Sequence, residues 1–491
     1  LAIQSTSTKR VVIQENIPPA AVDGLAEAIQ RYYITPNMQY IEPTSFRRVD
    51  SQGTVELYWR FKLEENGATV PLGVNLSISQ LTVELRFEAL DVSNARQINL
   101  SSRVIDDVQN IVWQYMQNTK LSSLYFVIGG HEKHSEAPGQ QNSPLRSLMK
   151  RLFRGNTANV FLTFLFLSFV LFFIIGIYTA FVLIALQTVY LIFSDRIAMS
   201  MGNVHPTAEK PLVTIVSVRS DKETLKSLST YGKKILPEIR DEVMKSVEIP
   251  TTVSERANVK TIVLQILSKH GIHAKVNDVE IKTRNVYAIV ERVSTKFNRA
   301  PPQIVIANSL VSNAAATGIS TNHSSIMITA GSLEDLSEEE LESVIGHELG
   351  HIKGHDPVIL FAVTSFELFG RFFIWYPLFI YQPILYFIIA FGVIFAVGKV
   401  LETRADTESA VTLGNPLVLA AALTSIGMRQ FYHEKYSPIA KLLDWFQFDP
   451  HPPIYFRIDR LANFPRDGSA VRHITLLSIR DCIVGFLSAF R

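Results

Sequence analysis

Residues 159 to 193, "NVFLTFLFLSFVLFFIIGIYTAFVLIALQTVYLIF", carry no charged side chain. Such a run predicts helix embedded in a bilayer. As one helix it would measure roughly 50 Å, well beyond a hydrocarbon core of about 30 Å, so two short spans turning near Gly176 fit better. A second apolar block, from about Val358 to Val400, breaks at Pro377 and Pro383 and again suggests a hairpin. A composition of 47% hydrophobic and 19% charged residues leans the same way. Glu367 and Arg371 stand four apart inside the second block. They read either as a mutually neutralising pair facing protein or the membrane surface, or as a functional pair.

Two hairpins would leave the N-terminal segment, residues 197 to 357 and the C-terminal tail on one side. Lys150, Arg151 and Arg154 before the first block, and Arg196 after it, mark that side as cytoplasmic. A single long first span would instead put the N-terminal segment across the membrane. The net charge of +2, with no long basic run, argues against a nucleic-acid binder. Cys482 is the only cysteine, which leaves no disulfide framework and no thiolate metal cluster. Any metal must be held by His, Asp or Glu. The polar sequence after Leu1 leads us to expect no cleaved secretory signal.

Residues 1–128 read as a separate soluble α+β accessory domain. "AAVDGLAEAIQRYY" (20 to 33) and "SRVIDDVQNIVWQYM" have helical spacing, whereas "TVELYWRFKLE", "VNLSISQLTVELRFEAL" and "SLYFVIG" alternate as strands do. Residues 129–155 form a polar linker, in which His131 and His134 read as solvated rather than metal-binding. Further on, "PPQIVIANSLVSNAAATGIS" and "SSIMITAGSLEDL" read as two strands with connecting turns, and lead into "SEEELESVIGHELGHIKGH". There Ser337 and Glu340 form a capping box that fixes where a helix starts in water.

That helix carries the chemistry. In His347-Glu348-x-x-His351 the two histidines are four apart, so they leave one helix face a turn apart and their imidazoles can converge on one tetrahedral Zn2+. Glu348 lies about 100° around the helix, near enough to touch a zinc-bound water without ligating the metal. A carboxylate so placed can take the water's proton and hand it to a leaving amine. The motif needs a third protein ligand. About fifty residues on, "LETRADTESA" places Glu402 and Asp406 four apart on a helix: Glu402 could complete a His2Glu site, and Asp406 could accept the free ring N–H of a ligating histidine. An exposed charged helix is the alternative for that pair.

With these motifs the chain resembles the HtpX family of membrane-integral zinc endopeptidases, relatives of the CAAX prenyl proteases. The likeness begins at "IFSDRIAMSMG" (192 to 202) and runs through "PPQIVIANSLVSNAAATG", "IMITAGSL", "HELGHIKGHD", "ETRAD", "GNPLVLAAAL" (414 to 423) and "HPPIYFRIDRL" (451 to 461), covering most of residues 160 to 465. It implies an α+β gluzincin with transmembrane α-helices: a zincin-like metallopeptidase domain, two membrane hairpins (four spans) and the N-terminal soluble α+β domain. The expected division is a hairpin at 156–199, a peptidase domain with the HExxH helix at 200–357, a second hairpin at 358–400, and the rest of the peptidase domain at 401–491. The resemblance also implies one Zn2+ per chain on His347, His351 and Glu402, with Asp406 behind a ligand. Glu348 would be the catalytic residue. The expected partners are protein or peptide substrates and the lipid bilayer, with cleavage of membrane or misfolded proteins, a protein quality-control role, at the cytoplasmic face of a multi-pass cell-membrane protein.

Asn313, in "SNAAATG", resembles the family's Asn-Ala strand beside the cleft, where an extended substrate could pair, although a turn-forming Asn fits as well. His451 and Arg457, in "HPPIYFR", resemble family residues near the active site, one of which could donate to the oxyanion; a fixed turn at Pro452 and Pro453 is the structural alternative. Three departures stand out: the N-terminal module is additional, residues 210 to 290 are longer than expected, and His355 takes a place often held by another residue, where it reads as a polar helix end. Gly346, Gly350 and Gly354 form an i, i+4, i+8 row, each costing about 1 kcal/mol against alanine in a helix, so we expect close packing of this helix against another helix or the sheet. Two rival readings are a site-2-type intramembrane protease, disfavoured by the acidic "SEEELE" that precedes the motif, and a non-proteolytic membrane scaffold with structural zinc.

Overall fold

The computed structural model describes residues 6–14, 17, 21–51, 53–65, 68–80, 82–91, 94–121, 123–129, 157–202, 204–219, 236, 238–309, 311–320, 323–436, 438–464 and 473–490. Apart from Gly129, the expected linker with His131 and His134, and the Lys150, Arg151 and Arg154 cluster, lie outside them. The chain divides into two compact units: Leu1–Leu124 with Ser217–Ile239 and Val263–Glu280, and Tyr125–Val216 with Arg240–Ile262 and Ile281–Arg491.

In the first unit, strands β1 (Thr6–Gln14), β2 (Arg47–Ser51), β3 (Thr54–Glu65), β4 (Ala68–Ile78) and β5 (Thr82–Asp91) form an antiparallel sheet in the order β1-β5-β4-β3-β2. The segment "VNLSISQLTVELRFEAL" is therefore two strands, joined where Ser79 and Thr82 exchange hydrogen bonds. Alternation decides the faces: Val55, Leu57, Trp59 and Phe61 are buried while Glu56 and Arg60 between them are exposed. The buried face meets helices α1 (Val22–Ile29) and α2 (Ala95–Leu121) through Leu25, Ile29, Val104, Val108 and Val112. Each such side chain contributes about 1.5–3 kcal/mol by leaving water.

Two small three-stranded sheets follow, β6 (Ser123–Gly129), β7 (Leu212–Arg219) and β8 (Val279–Asn285) in that order, and, within the second unit, β9 (Gln303–Ala307), β10 (Ala314–Ser320) and β11 (His323–Thr329) in the order β10-β11-β9. Two strands, not one, thus come from "PPQIVIANSLVSNAAATGIS". The second is the strand that the family likeness placed after Asn313; its small residues lack the β-branched pattern that marks a strand in sequence. β11 pairs parallel with β9 and antiparallel with β10, so β10 is left as an edge strand.

Helix α3 (Thr157–Ile175) ends at Gly176, whose φ of +60° is open to glycine, and α4 (Thr179–Ile192) starts after a short 3-10 turn. Phe172 of α3 stacks on Phe372, and Phe181 of α4 meets Phe373, so the chain folds back at this turn. The active helix α5 (Glu338–Gly354) is followed by α6 (Asp356–Phe373), the short α7 (Tyr376–Tyr381) and the long α8 (Pro383–Leu413). Pro377 and Pro383 lie in the first turns of α7 and α8, where proline is tolerated. Among the described residues, Phe166–Ile192, with its interruption, and Pro383–Leu413 are long and apolar enough to cross a membrane. Glu367 and Arg371 form a doubly hydrogen-bonded buried pair at 2.8 and 2.9 Å, closed by Ser168 of α3 (2.9 Å) and Tyr386 of α8 (3.0 Å). All of their charge is matched inside the protein.

Candidate metal centre

Helix α5 begins as its capping box requires: Glu340 N donates to Ser337 Oγ at 3.2 Å, and Ser337 N donates to Glu340 Oε2 at 2.8 Å. Leu341, Ile345, Leu349 and Ile352 bury one stripe of the helix against Val286, Ile289, Val290 and Val293. The glycine row faces α8. A Cβ on Gly346 would meet Leu413 and Ser409, one on Gly350 would lie 3.1 Å from the Cα and carbonyl oxygen of Ala405, and one on Gly354 would overlap the Arg404 guanidinium. Ser409 Oγ donates to Ser343 O at 2.9 Å, and Lys353 Nζ to Glu408 Oε2 at 2.6 Å. The two helices lie antiparallel with their backbones almost touching, and this brings Glu402 to the histidines.

His347 Nε2 and His351 Nε2 are 3.1 Å apart, His347 Nε2 is 3.3 Å from Glu402 Oε2, and His351 Nε2 is 3.4 Å from Glu402 Oε1. A tetrahedral ion with bonds of about 2.0–2.1 Å needs ligand atoms about 3.3–3.4 Å from one another. The three side chains can hold such an ion as they stand. Glu402 Oε2 is buried and accepts no hydrogen bond from any described residue, which suits an atom reserved for a cation. His347, Glu348 and Glu402 are less than a tenth exposed, and all three line one cleft of about 540 Å3 with His351.

Behind each histidine stands a carboxylate with its own arginine. His347 Nδ1 lies 2.9 Å from Asp406 Oδ1, and Arg457 grips Asp406 through Nε (2.9 Å) and Nη2 (2.7 Å). His351 Nδ1 lies 2.7 Å from Asp356 Oδ2, and Arg404 Nη2 holds both oxygens of Asp356 at 2.8 Å. Carboxylates on both Nδ1 atoms favour protons there and leave both Nε2 lone pairs for the metal. Burial works against charge on these rings but is outweighed: Asp406 and Glu402 raise His347, while Glu402 and Asp356 push His351 up to about 10 in the metal-free chain.

The other expected residues reach the same cleft. Asn313 lines it at the start of β10, with Oδ1 accepting from Ala314 N at 2.9 Å; Ala314, Ala315 and Ala316 follow along the wall. His451 is half-exposed, its Nδ1 2.7 Å from Asp449 Oδ1 and its Nε2 3.5 Å from Glu402 Oε1; that carboxylate raises its pKa. Arg457 is buried and occupied with Asp406, with Nη1 3.6 Å from Glu402 Oε2. His355 caps the end of α5 at φ +57°, exposed to solvent.

Sequence reasoning missed Asp356, Arg404 and Glu434. Asp356 and Arg404 stand inside "HELGHIKGHD" and "ETRAD", and a charged pair beside the two candidate motifs was the available signal. Glu434, fully buried on helix α9 (Pro416–Tyr436), accepts from Ile454 N (3.2 Å) and Tyr455 N (2.7 Å) at the head of helix α11 (Ile454–Ala462), which carries Arg457; helix α10 (Pro438–Phe446) lies between them in sequence. Burial, with Asp444 alongside, pushes its carboxyl up to about 7.

Two histidines and a glutamate that could hold one metal ion, with a second glutamate in the same cleft beside an edge strand, are the features of a metallopeptidase. Residues 280–464 match Peptidase family M48. The chain is 34% identical over 214 residues to the protease HtpX homolog of Methanocaldococcus jannaschii, covering 36% of this chain and 73% of that one. It is 30% identical over 220 residues to the protease HtpX homolog of Thermodesulfovibrio yellowstonii, covering 38% and 77%. The protein belongs to family M48, among the HtpX proteases, a metal-dependent peptidase family. The crystal structure of S. mikatae Ste24p aligns over 49% of this chain and 64% of that chain at 16% identity with a TM-score of 0.28, too slight a likeness to define a shared fold.

Proposed function

We propose that the protein is a membrane-integral, zinc-dependent endopeptidase that cleaves membrane or misfolded proteins at the cytoplasmic face, in a quality-control role. The observation that carries this reading is the mutual spacing of His347 Nε2, His351 Nε2 and Glu402 at 3.1–3.4 Å, with Glu348 in the same cleft. Zinc held there would supply Lewis acidity, drawing the pKa of water towards about 7 and polarising the scissile carbonyl. Glu348 takes the proton from the attacking water and delivers it to the departing amide nitrogen. His451, with Nδ1 anchored on Asp449, turns Nε2–H to the oxyanion. Arg457 acts further back, holding the Asp406 that orients His347. Substrate lies extended along Asn313 and β10, adding a strand to the open edge.

The reading includes four spans, α3, α4 and the pair α6 and α8, with the peptidase and N-terminal domains on the cytoplasmic side. It is supported by the fold-back at Gly176 and by the internally matched Glu367–Arg371 pair. Glu338 and Glu339 are exposed at the head of α5, which speaks against a motif helix immersed in lipid. The test is Glu348→Gln in the purified full chain. It should bind zinc at wild-type stoichiometry and lose proteolysis of casein and of a membrane substrate; undiminished cleavage would sink the mechanism.

A further inference from the structure

Helix α12 (Ile474–Ser488) is turned inside out for a helix in water. Its small residues Ser478, Cys482 and Gly485 are buried against the protein. Leu476, Ile479, Ile483, Val484 and Leu487, spaced i, i+3, i+7, i+8 and i+11, are 38–65% exposed on the opposite face. An apolar stripe of this breadth marks an interaction surface.

Its neighbours say what covers it. Ser478 Oγ lies 3.5 Å from Thr407 Oγ1, and Cys482 Sγ is 3.0 Å from Thr403 Oγ1 and 3.6 Å from Lys399 O, so α12 runs antiparallel to α8. Moving along α12 towards Leu487 therefore means moving along α8 towards its apolar half. At a rise of 1.5 Å per residue, Leu487 stands about 7 Å beyond Cys482 in that direction. Phe448 sits there already, its ring 5.7 Å from those of Phe391 and Phe395 of α8, while Phe486 joins Trp445 and Phe446 of α10 at 5.9 and 5.5 Å. Leu443 and Phe446 of α10 and Phe490 after α12, each 56–58% exposed, add to the exposed Val393, Ile389 and Ile388 of α8, so apolar side chains stand outward on all three neighbouring helices. With 15 residues, α12 is about 22 Å long, too short to cross, and Arg480, 68% exposed in its side chain, lies on the stripe where it can rise to headgroups.

We infer that α10 and α12 form an interfacial collar, lying in the headgroup–acyl boundary of the bilayer beside the point where α8 enters it. The collar fixes the height of the peptidase cleft above the membrane, since α12 is bonded to α8 at Thr403 and Thr407, on either side of Asp406 and one residue after Glu402. Residues 474–488 fall outside the family match, so α12 is argued from this chain alone, while α10 lies within the match. It rests on the reading of α8 as a membrane span.

The test uses the full chain with Cys482→Ser, which removes its one cysteine, in nanodiscs of phosphatidylcholine and phosphatidylglycerol. Nitroxide is attached at Ile483→Cys or Leu487→Cys, with Ile388→Cys on α8 as the lipid reference and the exposed Val311→Cys as the water reference. Collisions with oxygen should exceed those with a water-soluble nickel chelate at 483 and 487, at a depth shallower than at 388. Labels at 483 and 487 that match 311 overturn the collar, as do labels shielded from both reagents, which would mean a protein partner. A water-like label at 388 would overturn the membrane span and the collar with it. Leu487→Trp in a chain retaining Cys482, quenched by brominated acyl chains, gives the same reading without touching the buried cysteine; absence of added quenching overturns it equally.

Discussion

Arg404 Nη2 lies 2.8 Å from both carboxylate oxygens of Asp356, and the same nitrogen donates to Gly350 O at 2.9 Å. Arg404 follows Glu402 by two residues on α8, while Asp356 opens α6. One side chain thus ties the helix of Glu402, the last turns of the motif helix, and the carboxylate behind His351.

Asp356→Asn keeps the shape of that contact but removes the charge facing Nδ1. Losing such a partner typically weakens metal affinity by about 10–100-fold. Competition against a chromophoric chelator should show a drop of that size with the chain still folded. An unchanged affinity would mean that the carboxylate does not orient the ring.

His451 and Arg457 should separate by what they break. His451→Ala is expected to lower kcat by about a hundred- to a thousandfold while metal content stays complete. Arg457→Met removes the guanidinium from Asp406, leaves that buried carboxylate with His347 alone, and should cost about 3–5 kcal/mol of stability along with metal. Metal analysis beside turnover distinguishes the two; equal metal loss in both variants would refute the division of roles.

Proton release should accompany metal binding. His347 is raised and His351 is pushed up to about 10 in the metal-free chain, so at neutral pH the metal must displace protons from this pair. Apparent affinity therefore rises with pH towards 10. The stability of the metal-free chain runs the other way: a histidine with a raised folded pKa contributes fully below about 6.5 and loses that contribution as pH climbs through its folded pKa. Calorimetry in buffers of different ionisation enthalpy would count the protons. Release of none at pH 7 would contradict the charge state.

Gly350→Leu drives a branched side chain into the backbone of Ala405, a neighbour that cannot swing away. Overpacking of this kind costs about 1–3 kcal/mol. It should also splay α5 from α8, so metal content and thermal midpoint fall together. A variant with full metal and an unchanged midpoint would leave the glycine row without its proposed purpose.

The cluster His347, His351 and Glu402 was legible as a candidate because helical periodicity is written in one dimension: His347 and His351, and again Glu402 and Asp406, sit at the spacing of one turn. The capping box at Ser337 and the break at Gly176 were legible for the same reason, being local. Which helix would fill the groove left by Gly346, Gly350 and Gly354 was not, since the partners Ala405, Ser409 and Leu413 are separated from it by the whole apolar hairpin. Asp356 was hidden by a plainer meaning, an acid in the first turn of α6. Arg404 looked like one charge among several on an exposed face, and only burial to 6% shows otherwise. β10 was expected only through the family likeness at Asn313, because alanines and glycine do not announce a strand by themselves.

The glycine seam between α5 and α8 also imposes an order of events. His347 and His351 are made first, and Glu402 arrives only after residues 356 to 400 have been laid down and folded back so that Ala405 meets Gly350. Until then two histidines face an incomplete ligand set. The three-residue cluster is thus a gauge of the seam, since whatever parts the backbones of α5 and α8 also parts Glu402 from the two histidines.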